Sequence, residues 1–395
     1  MDTKQILDYY INIGKNNTKK YKIALVANVR GKTKNYVDFD SSSVINEYFS
    51  LTLYEEIQRT LRNAGYEVCT FFDEDDFIKA VLENKIGNLE QLIVMNSSQK
   101  GTHIGRKSLV PAFCGLHNIK FTGSNAYVVS LCRNKFHTNC ISQNRNLYTP
   151  DTYIYNLKYG WISGKPTLGE KVIIKLNNEA CSIGMTKKNI IKYDENSDEI
   201  ISTMAKEFRQ DIILQKFICG FEVEVPIIMG KNVCSLDPVG IELNNEHFLG
   251  QEILDYEIRG NHSFEYFHFK NQYPEISEKI KKNSAQIGKL LGIEGIGRID
   301  YRITENGEAF VTDIATNPHI TSISSIATAF SWLEYSYTDM FYTMIELIFF
   351  TIFLITSKCP DESLYIIFLI CSSISFLLSN SFNASRKSEY SISGK

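Results

Sequence analysis

The run Arg298-Ile299-Asp300-Tyr301-Arg302-Ile303-Thr304-Glu305-Asn306-Gly307-Glu308-Ala309-Phe310-Val311-Thr312-Asp313 decides the reading of this chain. Asn306-Gly307 between two strand-like runs is a two-residue hairpin signal, because both residues tolerate positive φ. With that turn, Glu305 pairs with Glu308, and counting back sets Asp300 directly opposite Asp313 and Arg298 opposite Ala315. Opposed Cβ atoms lie about 5 Å apart, so two carboxylates placed this way repel unless a cation or proton sits between them. Ile299, Tyr301, Phe310 and Ile314 fall on the other face, which leaves the acids on a functional surface. Oxygen donors on a rigid ribbon suit Mg²⁺, which takes a few carboxylates and completes its shell with phosphates and water. Two solvated acids on an exposed hairpin are the plain alternative.

Outward from this ribbon, strand and helix patterns alternate. Residues 21–29, 66–72, 92–95 and 119–122 are short apolar runs of strand type. Leu53, Ile57, Leu61 and Ala64 fall at helical spacing and stop at Gly65. This β-α-β order predicts a parallel sheet covered by helices. Residues 172–176, 212–218 and 222–229 read as further strands. In the last of these, Val223, Val225 and Ile227 alternate with Glu222 and Glu224, giving one apolar and one acidic face. Ile276, Ile280, Ile287 and Leu291 stripe a helix that ends at Gly292.

Two other stretches have the composition of a phosphate and nucleotide site. Lys175 ends a strand and leads into a small, polar loop, residues 177–184, whose backbone N–H groups can approach a phosphate as readily as form a surface turn. Residues 215–222 join two strands around Gly220, where a planar base can pair and Glu222 can take a ribose hydroxyl.

The chain has 395 residues, 44% hydrophobic and 22% charged, with a net charge of −3. That length predicts two or three subdomains, and the mixed charge argues against a nucleic-acid partner. Residues 15–22 read as a solvated basic arm. The nine cysteines form no C-x-x-C pair, as expected for reduced thiols in a cytoplasmic protein. No apolar leader is visible in residues 1–20. Two apolar runs, 347–355 and 364–378, close the chain, each short of the ~20 residues of a spanning helix. A hairpin packed on the core or a partner, a hairpin in a membrane, and an unfolded tail all remain open for them. If the tail is an appendage, cutting after Met344 is expected to leave nucleotide binding and chemistry intact, because every motif residue lies upstream.

In order and spacing these blocks resemble the ATP-grasp superfamily, and most closely the D-alanine–D-alanine ligases. Five blocks carry the resemblance: Phe121-Thr122-Gly123-Ser124 with Lys135 downstream; Ile174-Lys175 through Ser182-Ile183-Gly184-Met185; residues 215–222; Asp255-Tyr256-Glu257; and Arg298-Ile299-Asp300 through Asp313 to Pro318. The resemblance implies an α/β ATP-grasp fold with a Rossmann-like (pre-ATP-grasp) subdomain at 20–125. A central ATP-grasp subdomain at 126–230 and a C-terminal one at 231–338 follow, with an apolar tail at 339–395.

Roles follow from the same resemblance. Lys135 and Lys175 contact ATP phosphates, Ser182 and Gly184 lie in the loop covering them, Gln215 and Ile218 face adenine, and Glu222 takes the ribose. Asp300 and Asp313 hold Mg²⁺ (or Mn²⁺). Arg298 stabilises the acyl phosphate and tetrahedral intermediate, Arg259 lies in a mobile loop, and Ser324 binds a substrate carboxylate. Amino-acid or peptide-like substrates, a homodimer and membrane contact through the tail complete the expectation.

Departures from the family pattern are specific. Its Glu-x-Asn pair reads Asp313-Ile314-Ala315, with Asn317 two residues on as the replacement ligand. Arg259 and Gly260 replace a Lys and a Tyr, and Cys181 replaces a Ser. Val29-Arg30-Gly31-Lys32 lies where a Gly-Gly-x-Ser-x-Glu motif belongs. ATP use therefore transfers better than substrate identity. An ATP-grasp enzyme acting on another amine acceptor and a non-catalytic ATP-binding relative are the alternatives.

Overall fold

A computed structural model describes residues 2–145 and 147–356. It divides into a unit of residues 1–351 and a second of residues 352–395; of the second, only the backbone of 352–356, the end of a helix, is described. The 364–378 run lies outside the described residues.

The larger unit is built on three sheets. The first contains β1 (Lys22–Ala27), β2 (Glu67–Phe71), β3 (Leu92–Ser97) and β4 (Lys120–Phe121), all parallel in the order β2-β1-β3-β4. Ala24, Val26, Leu92 and Val94 pack under Phe77, Val81, Val110 and Cys114 of the covering helices. The second is antiparallel, with β5 (Thr152–Asn156), β6 (Gly160–Trp161), β7 (Lys171–Leu176), β8 (Ile190–Lys192) and β9 (Ile212–Lys216) in the order β6-β5-β9-β7-β8.

The third sheet contains β10 (Phe221–Met229), β11 (Val233–Ser235), β12 (Val239–Glu242), β13 (Glu265–His268), β14 (Gly295–Ile303) and β15 (Ala309–Ala315). Its order is β13-β12-β10-β14-β15, with β11 on the end of β10. Here β10 leaves the central subdomain of the sequence reading. The sheet changes between Lys216 and Phe221, well before residue 230, because β10 pairs along its whole length with β14. That antiparallel pairing sends Val223, Val225, Ile227, Ile299 and Tyr301 into a core under helix Pro274–Leu291. Period-2 alternation then leaves Glu222, Glu224, Arg298, Asp300 and Arg302 on the opposite face.

The expected apposition of Asp300 and Asp313 is present, by a different route. The turn has three residues. Thr304 exchanges backbone bonds with Gly307 and Glu308, and Gly307 takes φ +81°. Ile303 therefore pairs with Ala309, one step off the expected register. A bulge between Asp300 and Tyr301 of β14 and the facing Thr312 takes the step back, with the Thr312 hydroxyl donating to the Asp300 carbonyl at 3.2 Å. Between turn and bulge the faces are exchanged: Ala309 and Val311 enter the core, and Phe310 does not.

Both ends of the described chain also differ from expectation. The predicted solvated arm is in fact the end of a helix, Thr3–Asn17, a turn, and the start of β1 at Lys22. An Asp2/Gln5 capping box starts the helix, and it buries Ile6, Leu7, Tyr10, Ile11 and Gly14. The presumed tail begins as helix Tyr337–Thr356, whose Met340, Phe341, Ile345, Leu347 and Ile348 are buried. Gly14 lets the two helices meet; a Cβ there would lie 2.7 Å from the Tyr342 Cβ. Residues 339–349 are thus core. No helix among the described residues is long and apolar enough to cross a membrane.

Candidate active site

The polar face of β10, β14 and β15 looks into a cavity of about 470 Å³, closed by β7, β9 and the loops after β1, β7 and β15. All the residues assigned a role from the sequence line it except Gly184. Gly184 instead shapes the loop beneath: its N–H donates to the Ser42 hydroxyl at 3.1 Å, its carbonyl accepts from Asn189, and its φ is +71°. Cys181 and Ser182 are also left-handed, at +50° and +54°. Three such residues turn the loop back over the cavity.

Lys135 opens helix Lys135–Gln143, where Asn134 caps it. Its ammonium donates to the Glu179 carbonyl at 2.6 Å and lies 3.2 Å from Asp313. Lys175, on β7, is pushed down to about 8 by burial and by Lys135, against the pull of Asp313. Burial works to raise Asp313, but Lys135 and Lys175 outweigh it and bring it down to about 2. Gln215 is buried, with its amide donating to Thr152 and its carbonyl oxygen unpaired. The Ile218 carbonyl accepts from Arg302 at 3.1 Å. Glu222 sits between Arg259 (3.3 Å) and Arg302 (3.5 Å).

Arg298 grips Asp300 with two bonds of 2.7 Å and reaches Glu224 at 3.0 Å. Glu224, fully buried and opposite Asp300 on β10, also holds Arg259 at 3.1 Å. Burial and Glu224 push Asp300 up to about 7, against Arg298. Asp300 is buried, contrary to the exposed position that the hairpin suggested. Ser324 lines the cavity and caps helix Ser325–Trp332 through its hydroxyl.

A family profile described as D-ala D-ala ligase C-terminus matches residues 163–346. The D-alanine–D-alanine ligase of Desulforamulus reducens is 23% identical over 75% of this chain and 93% of its own length. That of Nitrosospira multiformis is 23% identical over 71% and 85%. Through residues 163–346 and its likeness to these relatives, the chain resembles the D-alanine–D-alanine ligases. Among solved structures, the Bacillus anthracis D-alanine–D-alanine ligase complexed with ATP superposes with a TM-score of 0.62 at 19% identity. It covers 83% of this chain and 97% of that one. The VanG D-Ala:D-Ser ligase of Enterococcus faecalis gives 0.59 at 16% identity, covering 83% and 99%.

Lining this D-alanine–D-alanine ligase-like cavity, or buried just behind its wall as Arg106 is, lie charges that the sequence reading missed. Arg106 bonds Glu47 at 2.7 Å and Glu179 at 2.6 Å; Arg133 lies 3.2 and 3.3 Å from the same two acids, and Lys107 3.1 Å from Glu47. Cys181 meets His319 at 3.6 Å, and His319 stands edge-on to Phe49. Burial, Lys107 and Arg298 push His319 down to about 4. Glu224 was visible as half of the acidic face of β10. The Glu47 cluster draws on four separate segments, and no spacing announces it.

For Mg²⁺, the donor set fits. Asp300 and Asp313 converge, each satisfied by a cationic side chain, and Asn317 lines the same cavity. No cluster of three or more His, Cys, Asp or Glu suited to a metal occurs among the described residues, so phosphate oxygens and water would complete the shell.

Proposed function

We propose that this protein is an ATP-dependent carboxylate–amine ligase that forms an amide bond through an acyl phosphate. One observation carries the reading: lysines, carboxylates and an arginine from four of the five sequence blocks converge on a single cavity. Adenine lies against the 215–218 segment with its ribose at Glu222, and the polyphosphate runs toward Lys135 and Lys175. A substrate carboxylate oxygen attacks the γ-phosphorus, the bond to the β–γ bridging oxygen breaks, and ADP leaves. An amine then attacks the acyl carbon and phosphate departs, with Arg298 beside the developing oxyanion. Asp300, Asp313 and Asn317 would hold Mg²⁺, which when bound offsets phosphate charge. The 180–184 loop and the Arg259 helix, Tyr256–Asn261, exclude water that would hydrolyse the acyl phosphate.

The same reading makes the parallel sheet a Rossmann-like pre-ATP-grasp subdomain of a cytoplasmic homodimer. A coupled ADP-release assay over acids and amines tests it. Release that requires ATP, acid and amine together is expected. Nucleotide binding without ADP release under any mixture would favour a non-catalytic relative, the reading that Ala315 supports.

A further inference from the structure

Glu47 and Glu179 are buried, and Arg106, Lys107 and Arg133 share them. Three cations on two acids leave one positive charge over. Arg106 is fully used: its terminal nitrogens bond the two acids at 2.6, 2.7 and 3.0 Å, and its Nε donates to the Gln99 carbonyl at 3.1 Å. Lys107 lies 3.1 Å from Glu47. Arg133 makes the longest pairs, 3.2 and 3.3 Å, and one terminal nitrogen makes both. Its Nε is buried and has no hydrogen-bond partner among the described residues. Burying an unpaired donor is costly, more so on a charged group, and such a donor calls for an acceptor. The side chain, 10% exposed, lines the cavity, where a ligand can supply one.

The backbone sets Arg133 at the phosphate end of the site. It closes helix Ala126–Arg133, and Asn134 then caps the helix that Lys135 opens. The Lys135 N–H donates to the Asn177 carbonyl at 3.1 Å, and its ammonium to the Glu179 carbonyl at 2.6 Å. Arg133 reaches the carboxylate of the same Glu179. Both cations thus bear on the start of the 177–184 loop, and an anion that Lys135 receives enters beside Arg133. A guanidinium suits that anion, because its planar fork matches phosphate oxygens in pairs.

We infer that Arg133 is a further catalytic residue, which bonds the γ-phosphoryl oxygens as that group passes from ATP to the substrate carboxylate. The inference rests on the ligase reading and adds a third cation to Lys135 and Lys175. Glu47 and Glu179 hold Arg133 in the free protein, and Arg106 and Lys107 balance them once it turns to the phosphate. The acid's oxygen bonds the γ-phosphorus and the bond to the β–γ bridging oxygen breaks, its electron pair leaving with ADP. Arg133 stays protonated throughout and contributes hydrogen bonds and charge.

The test titrates the full chain, with Mg²⁺, against ADP and against an ATP analogue with an imido β–γ bridge, so that no acid or amine is needed. Arg133→Gln removes the surplus charge and leaves two acids with two cations, so the fold is expected to hold. Affinity for the triphosphate is expected to fall about tenfold while that for ADP stays within about twofold, as loss of one charge-assisted contact to the γ-phosphate implies. In the ADP-release assay kcat is expected to fall about a hundredfold, the scale for removing one donor to a developing charge, and Arg133→Lys recovers part of it. Equal losses for the two nucleotides, or none, would show Arg133 to be a structural ion pair and leave the ligase reading standing. A variant kcat near that of the wild type overturns the inference too. A wild type that binds neither nucleotide, or binds ATP and releases no ADP with any acid and amine, overturns both readings. Should Arg133→Gln fail to fold, Arg133→Lys decides, since it keeps the charge but not the fork. A loss of about threefold confined to the triphosphate is then expected; unchanged or equally reduced affinities overturn the inference.

Discussion

Lys175 is held near the pH at which it loses its charge, because burial and Lys135 both disfavour the ammonium. Only the charged form attracts a polyphosphate, and it predominates below about 8. ATP affinity should therefore weaken as pH rises from 7.5 to 9.5, approaching about tenfold per pH unit beyond the midpoint. Lys175→Arg should flatten that profile, since a guanidinium stays charged. A wild-type Kd for ATP that does not change over this range would refute the assignment. Asp300 shows the opposite shift, raised by burial and Glu224 to about 7. A folded value above the ordinary one favours the protonated acid, so its contribution to stability is lost as pH rises through about 7. Asp300→Asn should abolish ADP release yet gain in melting temperature relative to wild type between pH 5 and 8. A variant that instead loses ground over that interval would show the ionised Asp300–Arg298 pair to be stabilising. This acid pair was legible from a turn and a count of residues. The Glu47 cluster was not, because ion pairs between distant segments follow from the packed fold and leave no periodic trace.

At the scale of elements, the 180–184 loop depends on backbone more than on side chains. Gly184 takes φ +71°, and a Cβ there would meet Phe208 at 3.0 Å and Leu176 at 3.2 Å. Left-handed backbone costs an L-residue about 1–2 kcal/mol before any clash. Gly184→Ala should lower the melting temperature and weaken ATP binding, though Gly184 itself does not line the cavity. Differential scanning calorimetry and nucleotide titration check this; unaltered values would mean the loop has no part in the site. The β14–β15 ribbon shows how sequence counting succeeds and fails. The true turn is one residue longer than Asn-Gly spacing predicts, and the Thr312 bulge shifts the register back before Asp313. Asp300 and Asp313 therefore meet as expected, while Phe310 was put on the wrong face. The N-terminal helix was missed for another reason. Lysines and asparagines dominate residues 15–22, where it ends, yet Asp2 and Gln5 form a capping box and Ile6, Leu7, Tyr10, Ile11 and Gly14 share one buried stripe. Composition was weighed there where periodicity was informative.

At the scale of the whole molecule, that buried stripe meets the helix that begins at Tyr337, so the first and last described helices close the same core. Asn17 donates to Glu346 at 3.0 Å, Tyr21 packs on Phe349, and a Cβ on Gly230 would press on Leu347 at 2.6 Å. A chain cut after Met344 loses Ile345, Leu347 and Ile348, which are 0%, 0% and 5% exposed. Fully burying such side chains contributes ~1.5–3 kcal/mol each, and a domain's whole margin is ~5–15 kcal/mol. The cut also takes Glu346 from Asn17 and Phe349 from Tyr21, so the loss reaches the N-terminal helix and the start of β1. Truncation after Met344 should accordingly yield a protein that melts far lower or does not fold, contrary to the expectation from motifs alone. Truncation after Thr351, where the larger unit ends, should keep the melting temperature and ADP release of the full chain, because every core and site residue named here precedes it. Thermal melts and ADP release of the two truncations, side by side with the full chain, separate the cases. A cut after Met344 that melts normally would return residues 345–351 to the status of an appendage. A cut after Thr351 that fails to fold would extend the core beyond it.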